Sequence, residues 1–156
     1  MLHSSAVMLD GVAYLFSAPC GTGKSTHTKL WLDVFGNRAD ILNDDKPALR
    51  RVDGCWYAYG TPWSGKYDIS INTRVPVGGI CVLSRGETNK IERYTGMKAI
   101  GDIWEQTLRS KDAEHVGKIL GLLDQLLTEV PVWKMACNME PDAARMSHAA
   151  MTGGKE

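Results

Sequence analysis

The chain has 156 residues, enough for one domain with a core of its own. With 44% apolar residues and five Trp it is too hydrophobic to be disordered, and zero net charge without a basic tract excludes nucleic acid as a partner. No apolar run reaches the roughly 20 residues of a membrane span, and no signal-peptide segment opens the chain, so a cytoplasmic protein with no membrane partner is expected. Cys20, Cys55, Cys81 and Cys137 are widely spaced with no C-x-x-C pair, which reads as reduced thiols rather than a zinc site or a disulfide framework.

Taken in order, His3 to Leu9 and Val12 to Ser17 are β-rich runs joined by Asp10-Gly11, a dipeptide that favours a tight hairpin. A Gly-rich stretch follows. Lys24 to Phe35 is predicted helical, with Leu30, Trp31, Val34 and Phe35 at helical spacing and Gly36 as its C-terminal cap. Ala39 to Asn43 is the next strand and ends in Asp44-Asp45. Leu49 to Val52 and Cys55 to Tyr59 make a second hairpin across Asp53-Gly54. The loop from Gly60 to Lys66 is too rich in Gly and Pro for an element interior. Tyr67 to Val75 reads as loop with some strand, Gly79 to Leu83 as a buried strand, Arg85 to Asn89 as a turn, and Lys90 to Tyr94 as a short strand.

The rest is mostly helical. Met97 to Leu108 and Ala113 to Val130 are two helices, the second with Val116, Ile119, Leu120, Leu123, Leu126, Leu127 and Val130 as its apolar face. Val132 to Cys137 returns as a strand, and Pro141 to Met151 is a final helix with Pro near its start. A single domain over residues 1–151 and a disordered tail over 152–156 are expected.

The chemistry concentrates at Ala18-Pro19-Cys20-Gly21-Thr22-Gly23-Lys24-Ser25-Thr26, which fits G-x-x-x-x-G-K-[ST] except that Ala18 stands at the first Gly. Gly21 and Gly23 let consecutive N–H groups curl around one hollow, and the following helix adds its positive end. Pro19 through Thr26 are therefore the candidate nucleotide-binding residues. Lys24 reaches β- and γ-phosphates, and the Ser25 hydroxyl ligates Mg²⁺. Asp44-Asp45, about one helix and one strand later, supply a carboxylate for the magnesium and another to accept a proton from an attacking hydroxyl. His3 gains interest because its strand pairs with the one feeding the loop, where an imidazole can hold a proton or orient a carboxylate. Lys66 and Arg74 can steady transferring phosphate oxygens, and Trp63 can floor a substrate pocket. His27, His115 and His148 have no partners at metal spacing and read as structural.

Together these stretches resemble the catalytic domain of HPr serine kinase/phosphorylase, in the superfamily that includes phosphoenolpyruvate carboxykinase. The resemblance rests on His3, the loop from Ala18 to Ser25, and Asn43-Asp44-Asp45. It implies an α/β phosphate-loop domain with a mixed sheet and C-terminal helices. It further implies a Mg²⁺-dependent kinase that moves the γ-phosphate of ATP to a hydroxyl of a protein, peptide or small molecule. In that reading Lys24 binds phosphates, Ser25 and Asp45 hold the metal, and Asp44 is the general base with His3 beside it. The relatives also imply a homo-oligomer. The signature segment for the reverse, phosphorolysis reaction and the separate N-terminal domain of many HPr kinases are missing, so the chain looks more like the small HPr-kinase-related proteins of bacteria than an enzyme acting on HPr. The alternative is an accessory protein that binds nucleotide without phosphoryl transfer.

Overall fold

The computed structural model describes residues 1–154. These residues form β1 (Ser4–Leu9), β2 (Val12–Ser17), α1 (Lys24–Phe35), β3 (Ala39–Asn43), β4 (Ala48–Val52), β5 (Cys55–Tyr59), β6 (Arg74–Arg85), β7 (Lys90–Arg93), α2 (Gly96–Glu105), α3 (Ala113–Glu129), β8 (Val132–Cys137) and α4 (Pro141–Thr152). Asp10 and Gly11 both take positive φ, 49° and 80°, and Asp53 and Gly54 repeat this with 49° and 84°. That pair of left-handed residues makes the hairpin turn whose twist matches the flanking strands.

The sheet is mixed, as expected. The first residues of β6, Arg74–Pro76, pair antiparallel with β5, which pairs with β4. The remainder of β6 pairs parallel with β2 on one side and with β8 on the other. β7 lies antiparallel against β8. Beyond β2 comes β1 and then β3, with β1 antiparallel to both of its neighbours. It follows that β2, β3, β6 and β8 run the same way, and their C-terminal ends share one rim.

Side chains along a strand alternate between faces. Ala13, Leu15, Ile80 and Val82 point to one side, where they meet Ile103 of α2, Leu123 and Leu126 of α3, and Trp56 of β5. Tyr14, Phe16, Cys81 and Leu83 point to the other, against Trp31 of α1 and Ala143, Ala144 and Met151 of α4. Both faces are covered, which is why β2 and the inner part of β6 read as unbroken apolar runs. α1 and α4 are tied by a polar hub. The buried Ser147 hydroxyl accepts from Trp31 Nε1 at 2.9 Å, lies 2.9 Å from His27 Nε2, and donates to the Ala144 carbonyl.

Several boundaries differ from the sequence reading. β6 begins at Arg74 rather than Gly79. Gly78 and Gly79 sit inside the strand because aromatic rings cross it: a Cβ at Gly79 would lie 2.5 Å from the Trp133 ring, and one at Gly78 would lie 2.7 Å from that of Tyr14. α2 stops at Glu105, because the following residues turn back to the chain start, where Thr107 bridges Leu2 and the Leu108 N–H donates to the Met1 carbonyl. Leu120, expected on the apolar face of α3, is exposed, as is Leu122. α4 takes in Thr152, assigned from sequence to the tail, and Gly153 caps it in the left-handed region with φ 69°. Lys155 and Glu156 of the expected tail lie outside the described residues. Of the histidines outside the candidate site, His27 joins the hub, His148 packs on Trp31 and Phe35, and His115 sits exposed beside Asp112.

Ser147→Ala strands two buried ring N–H groups, and should lower unfolding free energy by about 2–4 kcal/mol, read from urea midpoints. Burial lowers the His27 pKa from the usual 6.5 to about 4. The unfolded chain therefore takes up this proton first, and stability that is full above pH 6.5 is lost as pH falls towards 4. Between pH 6.5 and 5 this one group should remove about 2 kcal/mol. His27→Gln, which keeps an N–H for Ser147, should flatten that slope; an unchanged slope in the variant refutes the assignment.

Candidate functional site

β2 delivers the Gly-rich loop to the rim. Ala18 is buried, and from Pro19 to Gly21 the chain is exposed. Gly21 takes φ 77° and Gly23 φ 116°, both costly for any residue with a Cβ. Gly23 is the N-cap of α1, and no side chain caps that helix. The N–H groups of Lys24, Ser25 and Thr26 have no carbonyl one turn earlier in the helix and face the loop, at the positive end of α1. Lys24 is mostly buried and folds back across the loop, donating from Nζ to the carbonyls of Ala18 at 2.8 Å and Pro19 at 3.4 Å. Burial pulls its pKa below the usual lysine range, and the Asp45 carboxylate opposes that.

The acids arrive at the same rim from β3. Buried Asn43 builds the bend that carries them. Its Oδ1 accepts the N–H groups of Asp45 and Lys46, at 3.0 and 2.7 Å, and its Nδ2 donates to the carbonyl and hydroxyl of Thr61. Asp44 is only 4% exposed. Its two oxygens accept the N–H groups of Gly65 at 2.6 Å and Tyr67 at 3.1 Å. Asp45 instead pairs with Lys46 and sits 3.2 Å from His3 Nε2.

His3 precedes β1, the strand between β2 and β3, so it stands between loop and acids. The Ser17 hydroxyl donates to its carbonyl, and its own N–H donates to the Gln106 carbonyl. Its Nδ1 is 2.9 Å from Gln106 Oε1. A carboxylate only accepts, so the contact with Asp45 calls for an N–H on Nε2, while Nδ1 meets the Gln106 side-chain amide. The imidazole expected beside Asp44 is thus beside Asp45.

One cleft of about 290 Å³ is lined by His3, Cys20, Gly21, Gly23, Lys24, Ser25, Thr26, Asp44 and Asp45, together with Gly65, Lys66 and Tyr67. Of the remaining candidates, the Pro19 carbonyl anchors both Lys24 and the Thr22 N–H inside the loop. Thr22 lines a neighbouring cleft. Arg74 is not brought to the site: its guanidinium stacks 4.9 Å from the Tyr57 ring centroid and donates to Tyr59 Oη on the β5 side of the sheet. Trp63 is exposed and borders neither of these clefts. All four cysteines are free.

Sequence reasoning missed three residues. Gln106 fixes the His3 ring. Gly65 lets its loop approach the acids, since a Cβ there would lie 3.1 Å from that of Asp45. Arg85, at the end of β6, donates to the Gly21 carbonyl at 2.6 Å. The only signal for Gly65 was its place in a Gly-Pro loop; Gln106 and Arg85 had none.

Asp44→Asn turns one acceptor oxygen into a donor facing an N–H. A bond to a charged group is worth about 1.5–3 kcal/mol, so amide exchange at Gly65 and Tyr67 should quicken about 10- to 100-fold while exchange in β2 stays unchanged. Hydrogen exchange with mass spectrometry reads this, and unaltered loop protection would refute the clamp.

No family model matches the sequence, and no curated protein does. Among solved structures, the HPr(Ser) kinase/phosphatase from Coxiella burnetii is similar, with 12% sequence identity, 97% of each chain covered and a TM-score of 0.51. At that identity the likeness is one of fold: the chain shares the mixed α/β architecture of a kinase/phosphatase over its whole length.

Proposed function

We propose that the protein is a Mg²⁺-dependent phosphotransferase that moves the γ-phosphate of ATP to a hydroxyl of a protein, peptide or small molecule. The observation that carries this reading is the single cleft into which β2 brings Lys24 and Ser25 while β3 brings Asp44 and Asp45. The fold shared with a kinase/phosphatase supports it. A cytoplasmic, self-associating protein fits the same reading.

The donor set suits the two cofactors. Helix-start N–H groups, two left-handed glycines and a lysine are what a triphosphate needs. Ser25 and Asp45 would hold magnesium, which takes a few protein oxygens and completes its shell with phosphate and water. Bound there, the cation supplies charge neutralisation for the transferring group.

The chain's own residues do the rest. Lys24 leaves its loop carbonyls for phosphate oxygens. The Asp44 carboxylate, in the same cleft, takes the proton of the incoming hydroxyl, and His3 donates from Nε2 to Asp45 and fixes that carboxylate's orientation. Gln106 holds the ring in place. Both Asp44 oxygens also accept loop amides, which orders the loop that carries Lys66 and Tyr67. That engagement of the expected base is also what favours the second reading, nucleotide binding without transfer.

ADP release from Mg-ATP, measured with a panel of serine, sugar and polyol acceptors, tests both. Lys24→Ala should abolish ATP binding. Asp44→Asn should keep binding and lose about 10²- to 10⁴-fold in transfer, the span of general base catalysis. Turnover by Lys24→Ala at the wild-type rate refutes the proposal, and ATP binding with no turnover of any acceptor favours the second reading.

A further inference from the structure

Arg74, which the acid-lined cleft does not use, belongs to a different polar surface. The β4–β5 hairpin and the first residues of β6 form a ribbon at one end of the sheet. Arg50, Tyr57 and Pro76 are register partners across it, as are Ala48, Tyr59 and Arg74, so all of them share one face. The alternate residues Leu49, Trp56, Ala58 and Val75 turn the other way, into the core with α2 and α3. Tyr57, Tyr59 and Pro76 join neither core, and Arg50, Arg74 and Pro76 are exposed. The core under α1 and α4 covers this side of the sheet over β2 and the inner part of β6 and does not extend to the ribbon.

The bare face is basic and aromatic. No acidic residue stands in β4, in β5 or at 74–76. Arg74 stacks on the Tyr57 ring and donates to Tyr59 Oη, which fixes its guanidinium while most of its five N–H donors stay available. Among the described residues Arg38, Arg51, Arg109 and Arg145 each pair with a carboxylate, and Arg50 and Arg74 do not. Asp53, in the hairpin turn, lets its charge be felt at Arg74 without pairing with it.

Arg50 and Arg74 lie two strand spacings and two residues apart, roughly 12 Å between their backbones. An extended chain advances about 3.3 Å per residue and returns to the same face at every second one, so carboxylates at i and i+4 match both guanidinia. We propose that this face docks an extended acidic segment of a partner protein, its carboxylates on Arg50 and Arg74 and its chain across Tyr57 and Tyr59. Tyr59 and Arg74 also flank the loop that takes Gly65, Lys66 and Tyr67 to the acid-lined cleft, a loop closed by the Gly60 N–H on the Thr73 carbonyl. Resting on the phosphotransferase reading, the partner is the acceptor itself, held by its acidic segment beside the cleft that receives its hydroxyl.

NMR titration of the isotope-labelled full chain with a Gly-Glu repeat peptide, and with its Gly-Gln counterpart, tests the docking face. The Glu peptide should shift the amides of Arg50, Tyr57 and Arg74 and bind at least about fivefold tighter than the Gln peptide. Added salt should weaken the Glu peptide alone. Arg50→Gln and Arg74→Gln should each weaken it about two- to fivefold, as removal of one exposed ion pair does. Equal affinity for the two peptides, shifts confined to the acid-lined cleft, or tighter binding of oligothymidylate overturns the proposal. A wild-type dimer that Arg50→Glu dissolves, seen by sedimentation, gives the face to a second copy and overturns it too. In ADP release, a serine peptide extended by the Glu repeat should show a KM at least about fivefold below that of the Gln-extended peptide, with kcat alike. Equal KM values overturn the acceptor role. Docking of the Glu peptide without turnover of either serine peptide refutes the phosphotransferase reading and leaves the docking face standing.

Discussion

The site depends on the position of β1. Because β1 lies between β2 and β3 and runs against both, the two outer strands are forced to point the same way. The C-terminal end of β2, which carries the Gly-rich loop, and that of β3, which carries Asp44 and Asp45, therefore emerge on one edge with His3 between them. Neighbouring strands are about 4.8 Å apart, so loop and acids stand roughly 10 Å from each other. That gap is about the width of a phosphate with a cation beside it. Had β3 paired directly with β2 in the same direction, the imidazole would have no place between them.

Within that frame the two aspartates, adjacent in sequence, are driven apart in role by Asn43. Its side-chain oxygen accepts two successive N–H groups, which turns the chain sharply after β3. Asp44 is thereby directed inward, against the amides of Gly65 and Tyr67, and Asp45 outward, towards His3 and Lys46. Geometry therefore gives Asp44 a downstream loop to anchor and Asp45 the His3 imidazole and the Lys46 ammonium as partners.

What could be read from the sequence was local, and what could not was set by distant partners. The Asp-Gly hairpins, the helix from Lys24 to Phe35 and the strand from Ala39 to Asn43 are each specified by turn chemistry or periodicity inside a dozen residues; the structure has the helix and that strand at those bounds and the hairpin strands within one residue of theirs. The length of β6 was hidden because Gly78 and Gly79 look like a break; they are there to admit the rings of Tyr14 and Trp133, which lie about 50 to 65 residues away in sequence. The same holds for the cations. Arg74 lies near the Gly-Pro loop in sequence but stacks on Tyr57, whereas Arg85, read as part of a turn, arrives at the loop because β6 runs parallel to β2. The exposure of Leu120 was equally beyond helical periodicity, which defines a stripe without saying how much of it a neighbour covers.

The self-contact of Lys24 explains how a buried cation is accommodated beside a Gly-rich loop in one small fold. An ammonium held away from water needs acceptors, and burial already draws its pKa down against the pull of Asp45. The Ala18 and Pro19 carbonyls meet that need from within the loop. They are neutral acceptors, and hydrogen bonds to a charged acceptor are roughly twice as strong. On the proposed reading, exchange of carbonyl oxygens for phosphate oxygens would favour Lys24 and free the two carbonyls at the loop's base. The side chain that holds the loop closed on itself would then be the one that captures the ligand.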